Sequence, residues 1–136
     1  MKLLMFLSPR FSWRAHQRAL EDAAAPLIEE VVENCAVIFV HAEAGDVEDR
    51  RKLLTRFVKN VKWAAKKRAA ENIVLHSFSH LSESKAAPAF AGSFLDEAAA
   101  RLRNAGYRVH QTPFGYSCAW ELAVHGEPVA KVFKTL

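Results

Sequence analysis

Ala36-Val37-Ile38-Phe39-Val40 is the stretch that most restricts the possible folds, because it contains no polar side chain and is rich in β-branched ones. Side chains alternate across a strand, so a run apolar at every position must be covered on both faces. Such a strand belongs in the middle of a sheet with further layers packed against it, which argues against an all-helical chain or a sandwich.

The flanking pattern says what those layers are. From Val47 to Ala70 the residues Leu53, Leu54, Phe57, Val58, Val61, Ala64 and Ala65 recur at three- and four-residue spacing. That predicts a helix with one face on the sheet, and Asp46 is its expected N-cap. Ile73-Val74-Leu75-His76 predicts a second buried strand. A helix is expected from about Ser84 to Ala105, with Pro88 near its start and Gly106 as its stop. Tyr107 to His110 is the next strand, and Tyr116 to Val124 with Glu127 to Phe133 predicts a hairpin across His125-Gly126. Upstream, Lys2 to Leu7 reads as a first strand ended by Pro9, with Phe11-Ser12-Trp13 as its hairpin partner. Ala19 to Glu33 reads as a helix, kinked or restarted at Pro26. The expected architecture over residues 1–136 is a single α/β domain: a mixed β-sheet with packed helices. Its first, 36–41 and 72–77 strands are central.

Composition supports one core rather than two, since 136 residues at 51% hydrophobic fill one domain. Met1 to Leu7 begins like a secretory signal, but Ser8-Pro9-Arg10 cuts the apolar run short and no cleavage pattern follows. No stretch approaches the roughly 20 apolar residues of a membrane helix. The expectations are therefore no membrane association, a cytoplasmic location, and free thiols at Cys35 and Cys118. The net charge of +4 is unevenly spread, with nine of the 19 Lys and Arg residues between Arg50 and Arg68. On the predicted helix these cations oppose the apolar face. Arg56, Lys59 and Lys62 are then either solvated or in contact with the phosphates of a nucleic acid.

Two segments carry the chemistry, Phe78-Ser79-His80-Leu81-Ser82 and Pro113-Phe114-Gly115-Tyr116-Ser117-Cys118. Each follows a strand, and the helix between the two strands brings both loops to one edge of the sheet. The phosphate-loop, dinucleotide and zinc-protease patterns and paired C-x-x-C motifs are absent, and the histidines lack ligand spacing. No cofactor and no metal are expected. His80 is a candidate site residue or a structural hydrogen bonder of its loop. Cys118 is a small buried hydrophobe or a nucleophile with His80 as base. In the predicted hairpin Lys131 lies diagonal to Cys118, as a snorkelling edge residue or as a pocket cation.

The run Asn72-Ile73-Val74-Leu75-His76-Ser77-Phe78-Ser79-His80-Leu81-Ser82, with Pro88, Gly106-Tyr107 and Pro113-Phe114-Gly115-Tyr116, resembles the N-terminal editing domain of archaeal-type threonyl-tRNA synthetases. The likeness extends more loosely to Phe39-Val40-His41-Ala42-Glu43 and to the first strand. It implies the D-aminoacyl-tRNA deacylase-like fold and hydrolysis of serine misattached to threonine tRNA. The implied partners are tRNA, a second copy of the chain in a homodimer, and a synthetase catalytic domain in cis or in trans. His80 would line the seryl pocket with Ser79, Gly115, Tyr116, Ser117 and Glu43 and serve catalysis, with Lys131 as a hypothetical stand-in for the family's lysine and Cys118 as the alternative nucleophile. The basic helix would hold tRNA through Arg56, Lys59 and Lys62. Where the family carries tyrosine and lysine after Pro-Phe-Gly-Tyr, this chain has Ser117 and Cys118. A histidine found in the family at the end of the first strand is Leu7 here, and a glutamate of the last strand is Lys131. The alternative enzyme is a D-aminoacyl-tRNA deacylase of the same fold, though its Gly-Pro dipeptide is absent here, and the alternative of a different class is a non-catalytic tRNA-binding or dimerisation module.

Overall fold

In the computed structural model, which describes residues 1–24 and 27–136, Ala36, Val37 and Ile38 are all fully buried at the centre of a sheet. The order of elements is β1 (Lys2–Arg18), β2 (Glu29–His41), α1 (Arg50–Lys66), β3 (Asn72–Ser77), α2 (Pro88–Asn104), β4 (Arg108–Gln111), β5 (Tyr116–Leu122) and β6 (Lys131–Thr135). Short 3-10 turns occupy Ala44–Val47 and Pro128–Ala130. Across the sheet the order is β4-β3-β2-β1-β5, with β6 also on β1. Strands β2, β3 and β4 run parallel, and β1 is antiparallel to β2, β5 and β6. The domain is thus α/β with a mixed sheet, as the alternating pattern predicts.

Alternate positions of β2 feed two cores. Ala36, Ile38 and Val40 pack with Leu3, Met5, Ile73 and Leu75 against Leu54, Phe57 and Val61 of α1 and Phe94, Ala98 and Leu102 of α2. Phe57 and Phe94 meet edge to face at 5.4 Å between centroids, which couples the helices directly. On the other side Val37 and Phe39 pack with Phe11, Trp13, Val32 and Val74. Leu3, Met5 and Leu7 serve the helix side while Phe11 and Trp13 serve the other, so β1 changes face across Pro9. Opposite Pro9 lies Asn34, with φ of 43°.

Three expectations for the sheet are corrected. Pro9 does not end the first strand: β1 runs on to Arg18 and pairs with β2 from Lys2–His41 to Arg14–Glu29, so Phe11 to Trp13 form no hairpin with Lys2 to Leu7. Pro9 falls where the other neighbour is interrupted, between the Phe6–Lys131 and Phe11–Leu122 pairings, so its missing N–H removes no bond from a continuous ladder there. Second, Glu29 to Glu33 is strand, not helix. Pairing with β1, reinforced by the Arg14–Glu29 ion pair at 2.7 Å, outweighs the helix preference of an Ala- and Glu-rich stretch. The break expected at Pro26 lies outside the described residues.

Third, β5 and β6 do not form a hairpin. Both pair with β1, β5 along Phe11 to Arg18 and β6 along Lys2 to Phe6, as two halves of one interrupted edge strand. Lys131 is therefore not diagonal to Cys118. The helices need only boundary changes. Asp49, not Asp46, caps α1 by accepting from the Lys52 amide at 3.3 Å, because the Asp46 carboxylate is taken up by the Glu43 amide at 2.7 Å. Pro88 opens α2 in its first turn, where a proline's missing N–H costs nothing, and Gly106, with φ of 97°, follows its end.

Candidate functional site

Parallel strands β3 and β4 end at the same edge of the sheet, and there the two motif loops meet. They line a cavity of about 410 Å³ whose walls include Ser79 and His80 from one loop and Gly115, Tyr116, Ser117 and Cys118 from the other. A neighbouring cavity of about 690 Å³ shares Leu20, Pro88, Pro113 and Phe114. Among the described residues it has no histidine, cysteine or lysine in its walls, so His80, Cys118 and Lys85 belong to the smaller one.

The loop after β3 is held by side chains at the end of β2. His41 is 1% exposed, and its Nδ1 accepts from the Leu81 amide at 3.0 Å while Nε2 faces the Ser84 carbonyl at 2.7 Å. An amide only donates and a carbonyl only accepts, so the ring is the neutral Nε2–H tautomer. Glu43 binds the Ser82 hydroxyl at 2.7 Å and the Met1 ammonium at 2.8 Å. Burial opposes its ionisation, but the hydrogen bonds from the N-terminal ammonium and Ser82 hold its carboxyl below the usual range. Glu43 is not in the cavity wall. It braces the loop that carries His80.

The second loop is fixed by its glycine. The Gly115 carbonyl accepts from the amides of Ala19 at 2.7 Å and Leu20 at 3.1 Å, which ties the loop to the end of β1. Its φ is 84°, and a Cβ there would stand 2.7 Å from the Ala23 Cβ. Only glycine fits both the backbone and the space. Beyond it, the Tyr116 hydroxyl accepts from Arg18 Nε at 3.2 Å, and the Ser117 hydroxyl donates to the Gln17 carbonyl at 3.3 Å.

Among the described residues the backbone amides of Ser79, His80 and Gly115 have no protein acceptor. His80 is exposed, with its ring 5.0 Å from that of Phe78. Beneath it, His76 is 6% exposed, bonds Thr112 Oγ1 through Nδ1 at 2.8 Å and packs 4.7 Å from Phe39. Burial pulls its pKa from the ordinary 6.5 down to about 4, so the imidazole is neutral at pH 7. Burial also raises the Cys118 thiol, which disfavours a thiolate.

Lys131 is not in this wall. Its ammonium donates to the carbonyls of His125 at 2.9 Å and Gly126 at 3.2 Å, closing the loop between β5 and β6. Among the described residues the cavity's one Lys or Arg side chain is Lys85, for which the sequence spacing gives no signal. His76 and Thr112 were also not expected. A polar residue ending the apolar run Ile73-Val74-Leu75 was their available sign, since a buried imidazole needs a partner. Arg56, Lys59 and Lys62 lie on α1, away from the cavity, with Lys59 and Lys62 beside Trp63. Arg50 pairs with Glu97 and Arg68 with Glu127, while Arg51, Lys52, Arg56, Lys59, Lys62, Lys66 and Lys67 have no ion pair among the described residues. No group of three or more His, Cys, Asp or Glu side chains is placed to hold a metal among the described residues. Among the described residues no helix is long and apolar enough to cross a membrane.

Comparison with known proteins follows the same outline. A sequence model described as the archaea-specific editing domain of threonyl-tRNA synthetase matches residues 1–136. Threonine–tRNA ligases of Methanopyrus kandleri and Thermococcus onnurineus are each 29% identical over the whole chain, which spans 22% of their length. That of Pyrococcus horikoshii is 26% identical with the same coverage. Among solved structures, the c-Myc DNA unwinding element binding protein superposes with a TM-score of 0.75 over 100% of this chain and 99% of its own, at 13% identity. At that identity the likeness shows the fold alone, which is the D-aminoacyl-tRNA deacylase-like one.

Proposed function

The chain belongs to the archaea-specific editing domain of threonyl-tRNA synthetase, and from that premise we propose that it hydrolyses the ester of serine misattached to threonine tRNA. The observation that carries the reading is the joining of both motif loops in one cavity, with free backbone amides beside His80. An aminoacyl ester is already reactive, so the site has to orient a water, exclude larger acyl groups and stabilise the oxyanion. The amides of Ser79, His80 and Gly115 are suited to the last task, since fixed N–H dipoles need no reorganisation as charge develops. His80 positions the seryl group at the mouth, with Tyr116 and Ser117 opposite. Cys118, whose thiol is kept neutral, forms wall rather than nucleophile. Such a second sieve is needed because threonine's extra methyl group supplies only about 1 to 3 kcal/mol of discrimination against serine at a synthetic site.

The tRNA body lies on the cations of α1, including Arg56, Lys59 and Lys62, and a synthetase catalytic domain supplies the mischarged substrate in cis or in trans. A homodimer completes the reading, supported by Leu27, Ile28 and Val31, which stand 54 to 69% exposed around the start of β2. Sedimentation of the pure chain as a monomer would remove that part.

Deacylation of L-seryl-, L-threonyl- and D-aminoacyl-tRNA tests the chemistry. The expected result is selective loss of the L-seryl ester. His80→Ala should slow it by about 10- to 1,000-fold, the range of a positioning group, while Cys118→Ala retains most of the rate. Preference for the D-aminoacyl ester would instead make the chain a D-aminoacyl-tRNA deacylase. No hydrolysis of any of the three would leave a non-catalytic tRNA-binding module, the reading that Ser117 and Cys118 favour.

A further inference from the structure

A substrate that enters this cavity as the end of a nucleic acid brings a phosphate just ahead of its terminal nucleoside, and among the described residues the cavity offers one Lys or Arg side chain, Lys85, to meet it. The root of Lys85 is fixed. On one side the Ser84 carbonyl faces His41 Nε2 at 2.7 Å and the Ser84 hydroxyl accepts from the Ala44 amide at 3.1 Å. On the other the Ala86 amide donates to the Ala42 carbonyl at 2.9 Å. The side chain itself is exposed and makes no hydrogen bond or ion pair among the described residues. Glu43, the acid bracing the same loop, is already occupied by Met1 and Ser82. Arg18, near the rim, is engaged by the Tyr116 hydroxyl and the Glu21 carbonyl.

We propose that Lys85 is the cation of the site and holds the phosphate that precedes the terminal nucleoside of the charged tRNA; this rests on the deacylase reading above. An exposed ammonium is strongly hydrated and screened, which makes it a poor stabiliser of an oxyanion and a suitable partner for an equally exposed phosphate. A contact made equally in the ground and transition states lowers KM and leaves kcat unchanged.

Hydrolysis of L-seryl-tRNA and of seryl-adenosine, which lacks the phosphate, separates the possibilities. Lys85→Ala should raise KM for the tRNA substrate about threefold to fivefold, as an exposed charge pair supports, with kcat unchanged. The slope of log(kcat/KM) against log salt should shrink by about 0.7, the value for one contact on a single strand. Lys85→Arg should restore both, and seryl-adenosine should be cleaved equally by wild type and variant. Equal losses on both substrates would place the ammonium on the ester and overturn the proposal, as would no change on either. Binding of uncharged tRNA gives a readout independent of hydrolysis: the variant should bind more weakly and with a smaller salt slope, and identical binding overturns the proposal. A wild type that cleaves neither ester would refute the deacylase reading, while that binding comparison still decides the role of Lys85.

Discussion

Single residues in this domain reveal whether a polar group serves the fold or the cavity. His76 is buried against Phe39 with its Nδ1 on Thr112, and burial holds its pKa at about 4. In the unfolded chain the same ring takes a proton near 6.5, so between those values the unfolded state binds more protons than the native one. The neutral ring's contribution is therefore fully present above about pH 6.5 and is lost as pH falls towards 4, where the loss reaches about 3 kcal/mol. Urea unfolding at pH 7 and pH 4.5 should show that loss in the wild type and a smaller one in His76→Asn. Equal acid sensitivity of the two would mean that other groups carry it. The exposed His80, by contrast, has no protein hydrogen bond among the described residues and is free to meet a ligand. In sequence the two histidines looked alike, each next to a polar loop, because exposure follows from the pairing of β3 with both neighbours and not from the residues beside the histidine.

At the level of elements, what could be read from the sequence was what local periodicity encodes. Helix α1 stands in its own pattern because it buries one face against the sheet, strands β2 and β3 because both of their faces are covered, and the stop at Gly106 because its φ of 97° favours glycine. The Ala19 to Glu33 stretch and the supposed C-terminal hairpin failed for a shared reason: both are settled by β1, which pairs with Glu29 to Val32 on one side and with β5 and β6 on the other. A long partner overrides helix propensity and also a favourable two-residue turn. The misplacement of Lys131 follows from that error, since its assignment to the cavity depended on a hairpin register. Within α1, Phe57 is fully buried and meets Phe94 of α2. Phe57→Ala should cost about 3 to 5 kcal/mol of stability in urea unfolding, through lost transfer energy plus a cavity between the helices. A loss below about 1 kcal/mol would show that the helices collapse around the gap.

For the molecule as a whole, charge is segregated more sharply than fold requires. Between Arg50 and Ala70 there is no acidic residue, although the chain has 15 of them. A helix stabilised only by surface pairs would interleave signs, and α1 does so at neither Arg56, Lys59 nor Lys62. Trp63 lies among these cations, with Lys67 Nζ 5.0 Å and Lys134 Nζ 5.5 Å from its ring centroid, so β6 adds to the same basic surface. Like charges this close repel one another, and a polyanion laid across them relieves the repulsion while releasing its own counterions. A chain in which Arg56, Lys59 and Lys62 are all changed to Glu should therefore bind tRNA more weakly at low salt. Its slope of log affinity against log salt should be smaller by up to about 2.7 units if all three meet duplex phosphates. The loss should be the same for tRNAs of different sequence, because phosphate contacts carry no base information. Hydrolysis of seryl-adenosine, which never reaches α1, should be unchanged and serves as the control for folding. Unaltered affinity and slope in the variant would mean that the basic face is only solvated, and that tRNA is held by the cavity loops alone.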